Sequence, residues 1–169
     1  MKKQLILVGG AMGVGKSAVC RELLRQLTPG VWLDGDWCWN MSPFVVNEET
    51  RAMVLDNAAH VLNSFLHCSV YRFVLFCWVM HSRDIVDEVL GRLDLAGVRF
   101  TLVTLICSRQ ALEARLQSDI ARKKRSPGVL SRSLERLPLY ADMGGVVVDT
   151  SAVTAEEAAR RIARMFIKV

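Results

Sequence analysis

A three-layer α/β/α domain around a five-stranded parallel sheet is the architecture that this chain of 169 residues predicts. Short β-rich apolar runs alternate along it with stretches of helical periodicity, the pattern of parallel strands joined by crossover helices. The length, with 51% hydrophobic and 23% charged residues, suits one domain over residues 1–169. The first apolar run also ends in a glycine-rich turn that leads directly into a helix pattern.

Taken in order, residues 4–8 form the first strand. The opening Met1-Lys2-Lys3 looks superficially like a signal peptide, but the apolar run after it is too short and feeds straight into the glycine-rich turn. The first helix runs from Lys16 to Leu27, with Val19, Leu23 and Leu27 on one face and Pro29-Gly30 beyond its end. Residues 31–34 make the second strand. Asn47 caps a second helix with Glu48 and Glu49 in its first turn and an apolar face through Val54, Ala58, Leu62 and Leu66. The third strand covers residues 72–79, and Ser82 caps a helix carrying Ile85, Val89 and Leu93 that Gly97 closes. After a fourth strand at 99–106, a helix from Ser108 holds Leu112, Leu116 and Ile120. A basic run and Ser126-Pro127-Gly128 break the chain before a fifth helix at about Ser131 to Tyr140. The last strand is 145–149, and the capping box Thr154-x-x-Glu157 opens the final helix. The expected strand order is 2-3-1-4-5, with a short lid over about residues 118–134.

The turn after the first strand is Gly10-Ala11-Met12-Gly13-Val14-Gly15-Lys16-Ser17, a complete G-x-x-x-x-G-K-[ST] between strand and helix. Glycines at this spacing let successive backbone N–H groups turn inward around phosphates. Lys16 then reaches the β/γ oxygens, and Ser17 offers its hydroxyl to Mg²⁺. The helix that follows aims its positive end at the same anion. These residues form a P-loop, and the expected ligands are ATP and Mg²⁺.

The five cysteines lie in predicted helices and strands without ligand or disulfide spacing, and read as reduced core residues. No apolar run reaches the eighteen or so residues of a membrane span, so the expected location is the cytoplasm, with no membrane partner. The formal charge is +5. Between Arg109 and Arg136, eight basic residues face three acids, so this segment carries the whole excess and the rest of the chain is neutral. Charge concentrated in this way suits a clamp on nucleotide phosphates better than an extended polynucleotide track. The run Arg122-Lys123-Lys124-Arg125 also fits a solvated cluster.

Many P-loop proteins hold Mg²⁺ through an acid at the end of a second apolar strand. Here the run Phe73 to Met80 ends in His81 without a carboxylate, whereas Val31-Trp32-Leu33-Asp34-Gly35-Asp36 ends in two. Carboxylates spaced i, i+2 at a strand end can turn toward one crevice, one near the metal's water shell and one toward a second substrate.

These features resemble the small P-loop kinases that include shikimate kinase, gluconate kinase and adenylyl-sulfate kinase, over almost the whole chain. Shikimate kinases have Asp-x-Asp at the same strand end, and adenylyl-sulfate kinases a run similar to Leu33-Asp34-Gly35-Asp36. The resemblance implies that Asp34 orders Mg²⁺ water and that Asp36 binds the acceptor hydroxyl, as its base or as a positioning group. It further implies that Arg115 lies near adenine and that Arg122, seven residues on, is a lid arginine reaching the phosphates. Arg136-Leu137-Pro138-Leu139-Tyr140 is similar to the segment whose arginine holds the substrate, and Asp149-Thr150-Ser151 to the adenine-contacting loop.

The chain departs from shikimate kinases where they have a glycine-rich turn after the third strand. Here Trp78-Val79-Met80-His81-Ser82-Arg83 takes its place, which speaks against shikimate itself. Trp37, Trp39 and Trp78 fall at or just past strand ends. They suit either an aromatic wall for a flat or apolar acceptor, such as a nucleoside, an aromatic metabolite or an antibiotic, or packing in the core. His81 is a candidate acceptor contact or a structural histidine; lone Arg51 and Arg83 fit solvation as well as an anionic acceptor.

The expected reaction is transfer of the γ-phosphoryl group of ATP to a hydroxyl of a small molecule, by a monomer or weak homodimer. Lys16, Ser17 and the lid arginines would share the phosphoryl charge. A polynucleotide 5′-kinase or nucleic-acid-linked ATPase is the alternative that the charge leaves open. A regulatory GTPase would need Asn-Lys-x-Asp, which the sequence lacks.

Overall fold

The computed structural model describes residues 2–167. Five parallel strands form one sheet, and helices complete three layers. β1 (Gln4–Gly10) lies at the centre, between β3 (Phe73–Cys77) and β4 (Arg99–Ile106). β2 (Gly30–Asp34) is outside β3 and β5 (Val146–Asp149) outside β4, which gives the expected order 2-3-1-4-5. Leu5, Ile6, Leu7 and Val8, and all of β3 from Phe73 to Cys77, are buried, as continuous apolar runs in central parallel strands must be.

The helices are α1 (Lys16–Gln26), α2 (Glu48–His67), α3 (Arg83–Leu90), α4 (Arg109–Ala121), α5 (Val129–Arg136) and α6 (Ala155–Ala163). α1 packs against α6 through a buried face that includes Val19 and Leu23 on one side and Ala159 and Ile162 on the other. Side-chain caps open α2 at Asn47, α3 at Ser82 and α6 at Thr154, as the sequence indicates, and Ser108, where the fourth helix was expected to begin, caps α4.

The first strand runs on to Gly10 rather than ending at residue 8, and three further elements differ from expectation by more than a residue. The third strand ends at Cys77 rather than residue 79: its neighbour β2 ends at Asp34, opposite Cys77, and Trp78, whose N–H donates to Val8 O at 3.2 Å, packs over Gly35. α3 ends at Leu90, and Leu93 folds back in a turn whose N–H donates to Leu90 O. The fifth helix begins and ends earlier than 131–140. It stops at Arg136, and Leu137–Tyr140 tightens into a 3₁₀ turn, since Pro138 has no N–H to continue an α-helix.

The register decides where chemistry can occur. Val8 is level with Cys77, and Cys77 with Asp34, so β3 and β2 finish together while β1 runs two residues further, to Gly10, beside β4. The chain then crosses from β3 over β1 to β4, the kind of switch point where parallel sheets leave a crevice.

Candidate active site

The P-loop wraps the crevice at the end of β1. Gly13 and Gly15 have φ of 89° and 110°, a left-handed region that residues with a Cβ rarely adopt. Gly15 is the residue before α1 and contributes no capping side chain, so the first-turn N–H groups of α1 keep their donors for an anion. Lys16 is buried, and its Nζ donates to Gly10 O at 3.0 Å and Ala11 O at 3.1 Å, which folds the side chain back over the loop. Burial lowers the Lys16 pKa, and the nearby charges of Asp36 and Asp34 partly restore it.

Both carboxylates expected on β2 come to this point. Ser17 Oγ donates to Asp34 Oδ2 at 2.5 Å, and Asp34 Oδ1 accepts from Asp36 N at 3.1 Å, capping the 3₁₀ turn Gly35–Trp39. Asp34 is buried. Asp36 is held above the usual carboxylate range, first by burial and then by the charge of Asp34, with Lys16 and Arg125 opposing the shift. The donor set fits Mg²⁺: a hydroxyl and a carboxylate, both hard oxygen ligands, side by side at the P-loop. Among the described residues there is no cluster of three His, Cys, Asp or Glu side chains that would make a metal cage, which leaves phosphate and water to complete such a site.

On the other side of the loop, a cavity of about 260 Å³ is bordered by Gly15, Ala18, Arg115, Thr150 and Val153. The resemblance placed Arg115 beside adenine. Its guanidinium borders this cavity but is also engaged structurally, donating to Val14 O and Thr150 Oγ1, each at 3.1 Å, and to Thr150 O. Asp149 and Ser151 stitch the neighbouring turn: Asp149 Oδ1 accepts from Ser151 N at 2.7 Å and from its hydroxyl, and these bonds lower the Asp149 pKa. Ser151 Oγ in turn accepts from Ser108 N at 2.7 Å.

Beyond Asp36 opens a larger cleft. One cavity of about 670 Å³ is lined by Met12, Asp36, Trp37, Trp39, Phe44 and Trp78. A second, of about 600 Å³, shares Trp39, Phe44 and Trp78 with it and extends to His81, Arg51 and Arg136. The tryptophans therefore divide. Trp37 is 57% exposed and, with Trp39 and Trp78, lines the cleft, whereas Trp32 stays in the sheet and donates through Nε1 to Cys77 Sγ at 3.4 Å. The Trp37 ring leans on Trp32 with centroids 5.0 Å apart, and Trp39 leans on Phe44 at 5.9 Å. His81 Nδ1 is buried without a hydrogen-bond partner among the described residues, and burial, followed by the charge of Arg136, lowers the His81 pKa.

The segment expected as a lid consists of the last turn of α4, the connection 122–128 and most of α5. Within it, Arg122 is exposed at the end of α4, and its side chain has no hydrogen bond or ion pair among the described residues. Arg125 is less exposed, pairs with Asp119 at 3.1 Å and acts on the charges of both Lys16 and Asp36. Arg122 is the residue that ends α4, seven positions after Arg115, and Lys123 beyond it turns through a positive φ of 58°. Arg125 was legible only as one member of a basic run. Phe44 was missed because residues 40–47 have no periodicity; its signal was the apolar Phe44-Val45-Val46 in an otherwise polar connection.

A family model described as AAA domain matches residues 6–136. The fold is similar to solved structures over nearly their whole length. The Deinococcus radiodurans tunicamycin resistance protein is 16% identical with a TM-score of 0.71, the match covering 99% of this chain and 98% of that one. Acinetobacter baumannii shikimate kinase in complex with shikimate is 20% identical with a TM-score of 0.66, covering 97% and 93%. Mycobacterium tuberculosis APS kinase in complex with AMPPNP and APS is 16% identical with a TM-score of 0.65, covering 98% of each chain. No curated protein sequence matches the chain significantly.

Proposed function

Since the chain belongs to the AAA-domain family, whose model spans residues 6–136, and has the fold of small P-loop kinases, we propose that it transfers the γ-phosphoryl group of ATP to a hydroxyl of a small molecule. One observation carries this reading. The cleft beyond the P-loop is lined both by Met12, a residue of the loop itself, and by Asp36, so a second molecule seated there meets the phosphate site directly. A purely regulatory nucleotide switch has no use for such a second compartment, and the basic side chains lie in the lid and cleft rather than along an extended track for a polynucleotide.

In this reading the P-loop backbone and the uncapped start of α1 hold the β- and γ-phosphates, and Lys16 swings from Gly10 O and Ala11 O onto their oxygens. Mg²⁺, when bound, neutralises phosphate charge. Ser17 and, through water, Asp34 are the residues that would hold it. Asp36 accepts a hydrogen bond from the acceptor hydroxyl, orients it in line with the γ-phosphorus and takes its proton. Its raised pKa makes it a stronger base than an ordinary aspartate. Residues 118–134 act as a lid, with Arg125 meeting the phosphoryl charge and water excluded on closure.

The test is acceptor-dependent formation of ADP and a phosphomonoester, followed by ³¹P NMR, across sugar acids, shikimate, nucleosides and hydroxylated antibiotics, tunicamycin among them. A new phosphomonoester that requires both ATP and one acceptor class supports the reading. ATP binding with no transfer to any acceptor would overturn it.

A further inference from the structure

The chemistry of the cleft defines its acceptor more narrowly than "a small molecule with a hydroxyl". Its near part is an aromatic enclosure made by Trp37, Trp39, Phe44 and Trp78, with the Asp36 carboxylate at the edge toward the P-loop. Three of these rings come from the 3₁₀ turn and the irregular connection after it, and Trp78 comes from the end of β3, so two parts of the chain face each other across the space. Although Trp37 leans on Trp32 and Trp39 on Phe44, packing leaves much of these rings uncovered. Trp37 and Phe44 remain 57% and 67% exposed, an uncommon investment of large apolar area at a surface unless something covers it.

The far part is cationic. Arg51 on α2 and Arg132 and Arg136, one turn apart on α5, line the cavity that continues from Trp39 and Trp78. None of the three has an ion-pair partner among the described residues, whereas Arg92, which borders the same cavity, is paired with Asp56 and Glu88; Arg132 donates only to Gly128 O, at 3.1 Å. Two carboxylates share the cavity. Glu88 is held by Arg92 at 3.3 Å, and Glu48 sits in the first turn of α2, where the helix dipole favours it. A net positive charge is therefore left facing the space, together with the unpartnered Nδ1 of His81.

We propose that the acceptor is a planar, aromatic alcohol carrying an anionic group, its ring held between the tryptophans and Phe44 and its anion by Arg51, Arg132 and Arg136. This rests on the kinase reading for the word acceptor, but not for the binding itself. Planar rings gain from offset or edge contacts with Trp and Phe faces. Guanidinium groups bind carboxylate, sulfate or phosphate through paired N–H donors, which fixes direction as well as charge. With the ring and anion held at those places, the hydroxyl is left at the Asp36 end.

Three probes that differ in one property each provide the test: 4-(hydroxymethyl)benzoate, its uncharged amide, and the saturated trans-4-(hydroxymethyl)cyclohexanecarboxylate. Binding to the full chain without ATP is followed by calorimetry and, for the aromatic pair, by tryptophan emission. The benzoate should bind about tenfold more tightly than either comparison, the size of effect expected for one charge-assisted hydrogen bond. In Arg132→Met with Arg136→Met the preference for the anion should fall to near unity while the preference for the ring survives; Trp39→Leu should do the reverse. Arg51→Met, on a different helix, provides the same charge readout if the α5 variant fails to fold. Equal binding of benzoate and amide, discrimination that persists without the arginines, or no binding of any probe at millimolar concentration overturns the proposal. Intact discrimination in a protein that transfers no phosphate would instead overturn the kinase reading alone.

Discussion

Ser17 Oγ and Asp34 Oδ2 are hydrogen bonded at 2.5 Å, which joins the first turn of α1 to the end of β2. The bond exists because Val8 of β1, Cys77 of β3 and Asp34 of β2 are level, bringing a side chain of the P-loop and the last residue of β2 to one point. In the proposed reaction the two residues are partners around Mg²⁺ rather than of each other, so their direct contact keeps both preorganised before nucleotide arrives.

Asp34→Asn should therefore raise the Mg²⁺ concentration needed for half-maximal transfer by about tenfold or more, as loss of an outer partner of a metal site commonly does. Binding of nucleotide without metal should change little. An unchanged Mg²⁺ requirement would remove Asp34 from the metal site.

Lys16→Ala should keep the fold and lower the rate of transfer by about 10²–10³, the usual cost of deleting one preorganised charge at a developing transition state. Burial already holds the Lys16 pKa down, so the variant loses a costly buried charge as well as a phosphate contact. Thermal melting of the unliganded variant should accordingly show no large loss of stability.

The sheet, its order and three helix caps were legible in the sequence because each rests on local rules: apolar runs, capping residues and the fixed spacing of the P-loop. Asp34 and Asp36 were legible for the same reason, being at a strand end beside that loop. Much of the cleft was legible too: Trp37, Trp39, Trp78, His81, Arg51 and Arg136 were candidates from the sequence and line it, whereas Phe44 and Arg132 were not singled out. Phe44 lies on a connection without periodicity, and Arg132 joins Arg51 and Arg136 only because α2 and α5 border the same cavity. The sequence does not distinguish Arg122, exposed at the end of α4, from Arg125, which pairs with Asp119.

Arg125→Ala should lower kcat of transfer more than it raises the KM for ATP, because a lid guanidinium acts chiefly on charge that develops in the transition state. Arg122→Ala should have the smaller effect, by about tenfold or more in kcat, given its exposed position. Steady-state kinetics of the two variants distinguish them; the reverse order would return the role to Arg122.

The pKa of Asp36 is raised in the folded chain, so the ionised carboxylate opposes folding above that pKa, and the opposition disappears below the unfolded aspartate value. Asp36→Asn should consequently melt at a higher temperature than the unaltered protein near neutral pH. The difference should shrink as the pH falls through the raised Asp36 pKa toward the ordinary carboxylate range. Melting curves across that range check the sign, and a variant less stable at neutral pH would mean that Asp36 is held by favourable contacts.

The same substitution tests the central claim most directly, through ATP affinity and acceptor phosphorylation measured on one preparation of Asp36→Asn. A residue that holds and deprotonates the acceptor is dispensable for ATP. The account predicts nearly unchanged ATP binding with transfer reduced by about 10²–10⁴, the range for loss of a positioned general base. Transfer at the unaltered rate, with ATP binding intact, would contradict it.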